Sequence, residues 1–510
     1  MAGFHLISFD TRFGHVPLFT SDTFESGPKS SILIGPNGSG KSRVLAAIAD
    51  EMTNIHYLRK KAIAPEREER PSRASKLLDL NRSLALTGDL FGEIARTEDP
   101  DATLVYFMDG STWEVVRYGE KLTVRRDGEH WSIQQMAFPD RVLAIAHLPL
   151  DKFRFVRSET EDFYRYLGLR QATNMTTTGA LGTKALLSFV AMSSRPTAGR
   201  FRKSWLPRLG LDDQIHIELR VPTRLLKVHD FLDFEGAVLE YVNRRRGSSR
   251  PSLSFADEKN HIDLGRVWDF FAHLREIQDE RATEKHSHFE LAVHLDDDSR
   301  DDWSRLLDGL LAARRLRLIM STELVFRKAG IPIPFGDLSS GEQQLLTTVS
   351  ELAANIDGTS AVLIDEPEVS LHPDWQREYV PALLAILEAY PSTHTVIATH
   401  SHFLVANLPP ARGSLTIAHS EAELSYETYD DAVFGRSPDN ILYRVFGIGT
   451  SGNKYVEYDL RTALRMISGR EAYDREKLKK IHERLALLSS DDNPALGEIL
   501  ASIRTHLESE

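Results

Sequence analysis

A glycine-rich stretch that ends in a lysine and a serine has the residue types needed to bind phosphate groups. Residues 32–42 read ILIGPNGSGKS. Glycines let the backbone take positive φ angles and approach an anion, so that N–H groups face it. The lysine would then contact the β- and γ-phosphates of a nucleotide, and the serine hydroxyl would bind Mg²⁺. The predicted nucleotide-binding residues are Gly35, Pro36, Asn37, Gly38, Ser39, Gly40, Lys41 and Ser42.

Two adjacent carboxylates follow an apolar run much later in the chain. Residues 360–373 read SAVLIDEPEVSLHP, and the apolar run ends at Asp365 and Glu366. Asp365 suits Mg²⁺, which prefers one or two carboxylates together with phosphate oxygens. Glu366 is the candidate base that orients the attacking water. The two motifs therefore predict a site that binds ATP and Mg²⁺.

Each motif needs a strand to hold it in place. The run SSILI before the glycines and the helical spacing of KSRVLAAIADEM after them predict strand, loop and helix in that order. The apolar run at residues 361–364 predicts a buried strand. Ligands bind at the carboxyl edge of a parallel sheet, which is where this strand would deliver Asp365 and Glu366.

A third motif resembles the signature of the ABC-type ATPases. Residues 335–346 read FGDLSSGEQQLL, and the five signature positions are Leu338, Ser339, Ser340, Gly341 and Glu342. The resemblance implies that this helix start contacts the γ-phosphate bound by a partner subunit, through N–H groups and the helix dipole. A homodimer or an assembly of dimers is therefore expected.

A histidine after another apolar strand pattern completes the set. In HTVIATHSHFL, residues 394–404, His400 resembles the switch histidine that lies beside the γ-phosphate in this family, and His402 is the less favoured alternative. The signature follows the phosphate-binding loop at a much greater separation than in membrane transporters. Leu371, His372 and Pro373 resemble the corresponding loop of SMC-related soluble ATPases, which include RecF-like and OLD-like proteins.

One expected residue is missing. ABC-type ATPases usually carry a glutamine after a sheet strand, and it contacts Mg²⁺ and couples the lid to the nucleotide. The matching segment, DRVLAIAHLPLDKF at residues 140–153, has no glutamine. Asp151 or Lys152 stands near that place, and Gln134 and Gln135 lie upstream. Hydrolysis is therefore less secure than binding, and slow or regulated turnover is expected.

The resemblance implies an α/β fold: an ABC-type P-loop NTPase core with an inserted, mostly helical lid domain and a C-terminal helical appendage. The insertion lacks the sustained heptads that long SMC-type arms need. The expected divisions are residues 1–155 and 319–410 for the two parts of the core, 156–318 for the lid, and 411–510 for an oligomerisation or partner-docking region.

Charge and composition limit the partners. The net charge is −12, so no global basic field attracts nucleic acid. Residues 64–76, 193–203 and 244–252 are expected to be exposed loops. Their basic side chains are either solvated surface or a local face for DNA or RNA, formed by Arg200, Arg202, Lys203, Arg244, Arg245 and Arg246. Without cysteines or a membrane-spanning apolar run, the chain is expected to be cytoplasmic and to have no membrane partner.

Over the whole chain, the arrangement resembles the ATPase subunits of bacterial anti-phage systems of the Septu type, which also occur with some retrons. This resemblance implies a separate nuclease subunit, commonly of the HNH type, that the ATPase controls. Two alternatives stay open: a RecF-like DNA-repair ATPase that binds DNA directly, and an OLD-like ATPase whose own nuclease uses acidic residues at 422–435.

Overall fold

The computed structural model describes most of the chain, and it divides into two compact units. Unit 1 comprises Met1–Tyr166, Gly358–Pro381 and Pro391–Glu510, and unit 2 comprises Leu167–Asp357 and Ala382–Tyr390. The described residues are 3–11, 14–19, 26–63, 100–148, 151–156, 162–168, 170, 180–193, 195–246, 264–277, 286–293, 295, 300–420, 424–429, 433, 436, 438–445, 454–488 and 494–508.

Strands and helices are numbered along the described chain. The strands are β1 (His5–Thr11), β2 (Gly14–Pro17), β3 (Lys29–Ile34), β4 (Ala102–Met108), β5 (Ser111–Tyr118), β6 (Lys121–Arg126), β7 (Glu129–Trp131), β8 (Arg141–Ala146), β9 (Tyr164–Tyr166), β10 (Ile215–Pro222), β11 (His286–Val293), β12 (Ser321–Lys328), β13 (Ile331–Pro334), β14 (Ser360–Asp365), β15 (Thr393–Thr399), β16 (Gly413–His419) and β17 (Ser425–Thr428). The helices are α1 (Lys41–Ile63), α2 (Ala180–Ser193), α3 (Ala198–Ser204), α4 (Thr223–Leu226), α5 (Phe231–Arg246), α6 (Leu264–Glu276), α7 (Arg300–Arg315), α8 (Ser340–Asn355), α9 (Pro373–Leu387), α10 (His402–Ala406), α11 (Pro438–Arg444), α12 (Lys454–Ile467), α13 (Arg475–Ala486) and α14 (Pro494–Glu508).

A seven-stranded sheet in unit 1 carries the predicted motifs. Its strand order is β17-β16-β3-β15-β14-β8-β9, and all neighbours are parallel except β17, which is antiparallel to β16. Every residue of β3, β14 and β15 is buried, as expected for parallel strands covered on both faces. This sheet confirms the predicted α/β fold, and β3, β14 and β15 are the three strands that the apolar runs predicted.

A second sheet in unit 1 was not predicted from the sequence. It is antiparallel, with the order β2-β1-β4-β5-β6-β7. Helix α1 contacts β6 of this sheet and also β8, β14 and β15 of the seven-stranded sheet. One buried apolar cluster therefore joins residues of both sheets and α1, among them Leu104, Ile48 and Leu363.

The described part of the insertion is mostly helical, as expected, but unit 2 also has a sheet that the sequence did not predict. Besides helices it contains an antiparallel sheet with the order β11-β10-β12-β13. The residues of β10 and β11 alternate between buried and more exposed positions, because their apolar side chains repeat with the period of two that a half-buried strand requires. The signature segment also lies in unit 2, whereas the predicted division at residue 319 grouped it with the core.

The predicted C-terminal helical region begins later than residue 411. Gly413–His419 and Ser425–Thr428 form β16 and β17 of the seven-stranded sheet, and helices α11 to α14 follow. Helices α12, α13 and α14 contribute to a common apolar core with Tyr443, and Asp459 is buried beside it. Asp459 accepts hydrogen bonds from Tyr443 Oη at 3.0 Å and from Arg484 Nη2 at 2.7 Å. Among the described residues, no helix combines the length and apolarity needed to cross a bilayer.

Candidate nucleotide-binding site

The glycine-rich loop connects the end of β3 to the start of α1, as predicted. Gly38 and Gly40 have φ angles of +88° and +82°, which side-chain-bearing residues rarely adopt. Gly35 is required for a different reason: a Cβ there would lie 2.3 Å from the carbonyl oxygen of Ala418 in β16. The loop can therefore present backbone N–H groups at the N-terminus of a long helix, where an anion is favoured.

Lys41 points back into the loop. Its Nζ donates to the carbonyl oxygens of Gly35 at 2.8 Å and of Pro36 at 3.0 Å. Burial lowers the pKa of the Lys41 ammonium, and three nearby carboxylates act against this shift: those of Glu366, Glu368 and Asp365. The ammonium is thus held where the phosphates of a nucleotide would meet it.

The two predicted magnesium ligands are in direct contact. Ser42 Oγ donates a hydrogen bond of 2.8 Å to Asp365 Oδ1, although 323 positions separate the two residues. Burial raises the pKa of Asp365 to about 6, and the hydrogen bond from Ser42 partly offsets this. A hydroxyl and a carboxylate beside a phosphate-binding loop are the hard oxygen ligands that Mg²⁺ prefers, so these residues fit the ion.

Glu366 and His400 also meet at this edge of the sheet. β14 delivers Glu366, and the neighbouring parallel strand β15 ends one residue before His400. Nδ1 of His400 lies 2.5 Å from Oε2 of Glu366. Burial, followed by the charge of Glu368, raises the pKa of Glu366 to about 9. This shift favours the protonated form of the Glu366 carboxyl group.

Sequence reasoning missed a third member of this group, Glu368. It is 5% exposed, and its Oε1 accepts hydrogen bonds from Thr399 Oγ1 at 2.5 Å and from the backbone N of His400 at 2.8 Å. One carboxylate oxygen of Glu366, one of Glu368 and one ring nitrogen of His400 all lie within 4.8 Å of one another. The second glutamate of the sequence DEPE was the available signal, but its partners are about thirty positions away in the chain.

Asp151 and Lys152 are the two residues expected near the place where ABC-type ATPases carry a glutamine. The charge of Asp151 contributes to the raised pKa of Asp365, so Asp151 belongs to the surroundings of the magnesium ligands. Oδ2 of Asp151 accepts a hydrogen bond of 2.6 Å from Tyr166 Oη, and its neighbour Lys152 is exposed. Gln134 and Gln135 are exposed in a short 3-10 turn. Slow or regulated hydrolysis stays a prediction.

The signature residues form a well-capped helix start in unit 2. Ser339 is the N-cap of α8: its Oγ accepts from the backbone N of Glu342 at 3.3 Å, while Glu342 Oε2 accepts from the backbone N of Ser339 at 2.9 Å. Leu338 is buried, Ser340 is exposed and Gly341 is half-buried. The helix start is as predicted, and its contact with a neighbouring subunit's nucleotide stays a prediction.

The basic residues expected in exposed loops lie mainly on helices. Arg200, Arg202 and Lys203 belong to α3, which forms because Ala198 and Phe201 are buried in unit 2. Arg202 forms an ion pair of 3.8 Å with Asp213. The backbone of residues 244–246 ends α5, but their side chains lie outside the described part, as do residues 64–76 and 247–252. A common nucleic-acid face stays a prediction.

Fold and site together define the class of this protein: it is an α/β protein with a P-loop nucleotide-binding core. Three chain segments that are distant in sequence supply the loop, the hydroxyl–carboxylate contact and the Glu366–His400 contact at one sheet edge. The chain is also similar in part to known proteins.

Residues 215–406 match the family model described as "AAA domain, putative AbiEii toxin, Type IV TA system". The chain is similar to the Retron Ec83 probable ATPase of Escherichia coli, with 29% identity over 90 residues that cover 16% of each chain. It is also similar to the Retron Vc95 probable ATPase of Vibrio cholerae serotype O1 biovar El Tor, with 30% identity over 92 residues, 16% of this chain and 17% of the relative. The chain thus spans about a sixth of the length of these curated relatives.

Among solved structures, the SMC head domain from Thermotoga maritima is similar, with 12% identity and a TM-score of 0.30. The alignment covers 84% of this chain and 98% of that one. An SMC head bound to the C-winged helix domain of ScpA gives the same values.

Proposed function

We propose that this protein binds ATP with Mg²⁺ and hydrolyses it. One observation carries the proposal: the residues predicted for metal binding and for hydrolysis meet in the folded chain. Ser42 Oγ lies 2.8 Å from Asp365 Oδ1, and Glu366 Oε2 lies 2.5 Å from His400 Nδ1. The matches to an AAA domain and to two probable ATPases support the same activity.

Each group has a role that its position supports. Lys41 would exchange the carbonyl oxygens of the loop for oxygens of the β- and γ-phosphates. Mg²⁺ held by Ser42 and Asp365 would neutralise charge that develops on the phosphate oxygens. Glu366 must give up its proton before it can act as a base toward water, and cationic partners at the site would lower its pKa for this purpose. His400 would share that proton through Nδ1.

The proposed site is completed by a second copy of the chain. The N-terminus of α8 is held by its capping box and exposes Ser340, so that free N–H groups at the helix start are accessible to an anion. A γ-phosphate bound by another chain would accept hydrogen bonds from these N–H groups. ATP would then stabilise a homodimer, because it would contact the loop of one chain and the signature of its partner.

The proposed role of this ATPase is control of a separate nuclease in anti-phage defence. Support comes from the two relatives, whose names place them with retrons, and from the Septu-like arrangement of the sequence. A nuclease subunit, commonly of the HNH type in such systems, would be held by this protein and regulated by its ATP-dependent dimerisation. The α11 to α14 helices are the proposed docking region.

Nucleotide binding and turnover test the enzymatic part of the proposal. Lys41→Ala should abolish ATP binding, whereas Glu366→Gln should retain binding, trap an ATP-bound dimer and lower turnover at least about 100-fold. Lys61→Ala is a matched control, because Lys61 is an exposed residue near the end of α1 that forms an exposed ion pair with Glu120. Unchanged turnover in Glu366→Gln would remove Glu366 from the role of base.

Plasmid cleavage tests the regulatory part. The purified chain is assayed alone and together with the product of the neighbouring reading frame, with and without ATP and Mg²⁺. Cleavage only in the presence of the neighbour, altered by nucleotide, is the expected result. ATP-dependent DNA binding by the chain alone would support a repair role instead. Metal-dependent nicking by the pure chain that survives Lys41→Ala would support an intrinsic nuclease.

A further inference from the structure

Glu368 links the two strands that carry the proposed hydrolytic residues. It lies in the turn between β14 and α9, three positions after Asp365, and is almost fully buried. Its Oε1 accepts from Thr399 Oγ1 at 2.5 Å and from the backbone N of His400 at 2.8 Å. Hydrogen bonds to a carboxylate are about twice as strong as neutral ones, so Glu368 fixes the chain where β15 ends.

The same carboxylate also reaches the histidine ring. His400 Nδ1 lies 3.2 Å from Glu368 Oε1 and 2.5 Å from Glu366 Oε2. About half of the His400 side chain is exposed, at 52%, so packing alone does not fix its rotamer. The two carboxylates therefore determine which way Nδ1 of the ring faces.

Thr399 extends this arrangement to the next helix. Its Oγ1 donates to Glu368 and accepts from the backbone N of Ser401 at 2.9 Å. Ser401 Oγ in turn donates to Gln376 Oε1 at 2.5 Å, and it caps α10 by accepting from the backbone N of Phe403. The chain on both sides of His400 is thus held by side chains from the segment that follows β14.

We propose that Glu368 is a positioning residue for hydrolysis: it holds the backbone and ring of His400 in register with Glu366. The inference rests on the proposed ATPase activity and assigns Glu368 no contact with nucleotide. Removal of Glu368 should leave ATP binding intact while the Glu366–His400 pair loses its geometry. Misplacement of a catalytic group by about 1 Å can cost about 100-fold in rate.

A double-mutant cycle tests this assignment. Glu368→Ala should lower kcat at least about tenfold with an ATP dissociation constant unchanged within about twofold. In a His400→Ala background, the same substitution should have little further effect, because the residue that it positions is absent. An equal loss in both backgrounds, or no loss in either, would overturn the proposal.

Two more variants separate positioning from folding. Glu368→Gln keeps the shape and an acceptor oxygen for Thr399 and the backbone of His400, so it should retain more activity than Glu368→Ala. Asp374→Asn is the control: its exposed carboxylate near the start of α9 forms an ion pair with exposed His372, and its loss should leave kcat unchanged. Equal kcat in the Gln and Ala variants would contradict positioning by hydrogen bonds.

A structural readout makes the inference independent of turnover. If the wild-type chain binds ATP without hydrolysing it, the proposed function fails, but the position of the His400 ring can still be compared in crystals of wild type and Glu368→Ala. A ring that leaves Glu366 in the variant supports positioning. A ring that stays within hydrogen-bond distance of Glu366 overturns it.

Discussion

Glu366 combines an unusual backbone conformation with an unusual proton affinity. Its φ angle is +50°, a region that non-glycine residues seldom occupy, and such strain costs about 1–3 kcal/mol. Burial beside Glu368 also raises its pKa to about 9. Both features are unfavourable for an isolated residue, and they occur at the position where the proposed reaction needs a base held in one orientation. Glu366→Gln keeps the backbone conformation and removes only the ionisable group.

The individual residues of the site were predictable to different degrees. Lys41, Ser42 and Asp365 belong to short motifs whose chemistry depends on neighbouring residues, so the sequence was enough to predict them. Glu368 was missed because its hydrogen-bond donors come from a different strand, β15. Contacts between strands depend on the strand order of the sheet, which local patterns do not contain.

A pair of buried histidines predicts a pH effect on stability. Burial lowers the pKa of His5 to about 4 and that of His394 well below its ordinary value of 6.5. As the pH falls below about 6.5, both imidazoles are protonated in the unfolded chain but stay neutral in the folded chain. The free energy of unfolding that is present above this pH is therefore reduced as the pH falls. Each unit of pKa shift corresponds to about 1.4 kcal/mol.

His5→Phe isolates this effect, because His5 already contacts the rings of Phe19 and Phe107. We expect the thermal midpoint of wild type, measured relative to that of the variant, to decrease between pH 7 and pH 5. The comparison between the two proteins cancels the titration of groups that they share, such as Asp365. A constant difference across this range would contradict the prediction.

At the scale of elements, three adjacent parallel strands assemble the site. β3 leads into the loop at Gly35, β15 leads to His400, and β14 leads to Asp365 and Glu366, with β15 between the other two. The buried apolar runs predicted β3, β14 and β15 because both faces of each strand are covered. The two antiparallel sheets and the helix α3 were not predicted, since their burial depends on packing partners elsewhere in the chain.

The start of α8 yields a prediction about a single helix cap. Ser339→Ala removes the side-chain acceptor for the backbone N of Glu342 and should cost about 1 kcal/mol at the helix terminus. We expect weaker ATP-dependent association, measured by light scattering, with unchanged ATP binding to the isolated chain. Ser339→Thr retains a cap and should restore association. Equal association in the Ala and Thr variants would mean that the cap does not organise the signature.

At the scale of the whole molecule, the two halves of the proposed site lie in different compact units of each chain. Unit 1 contains Lys41, Asp365, Glu366 and His400, while unit 2 contains the signature. Sequence motifs predicted both parts. They did not predict the division of the chain, because unit boundaries follow from contacts between segments as distant as Asp140 and Thr359.

The most direct test of a site shared between two chains is the ATPase rate of a mixture of two inactive variants. Lys41→Ala disables the loop and Ser340→Arg blocks the signature, so each variant alone should be inactive. In a mixed dimer, the intact loop of one chain meets the intact signature of the other, and random pairing should restore about a quarter of the wild-type rate. An inactive mixture that demonstrably exchanges subunits would contradict the shared site.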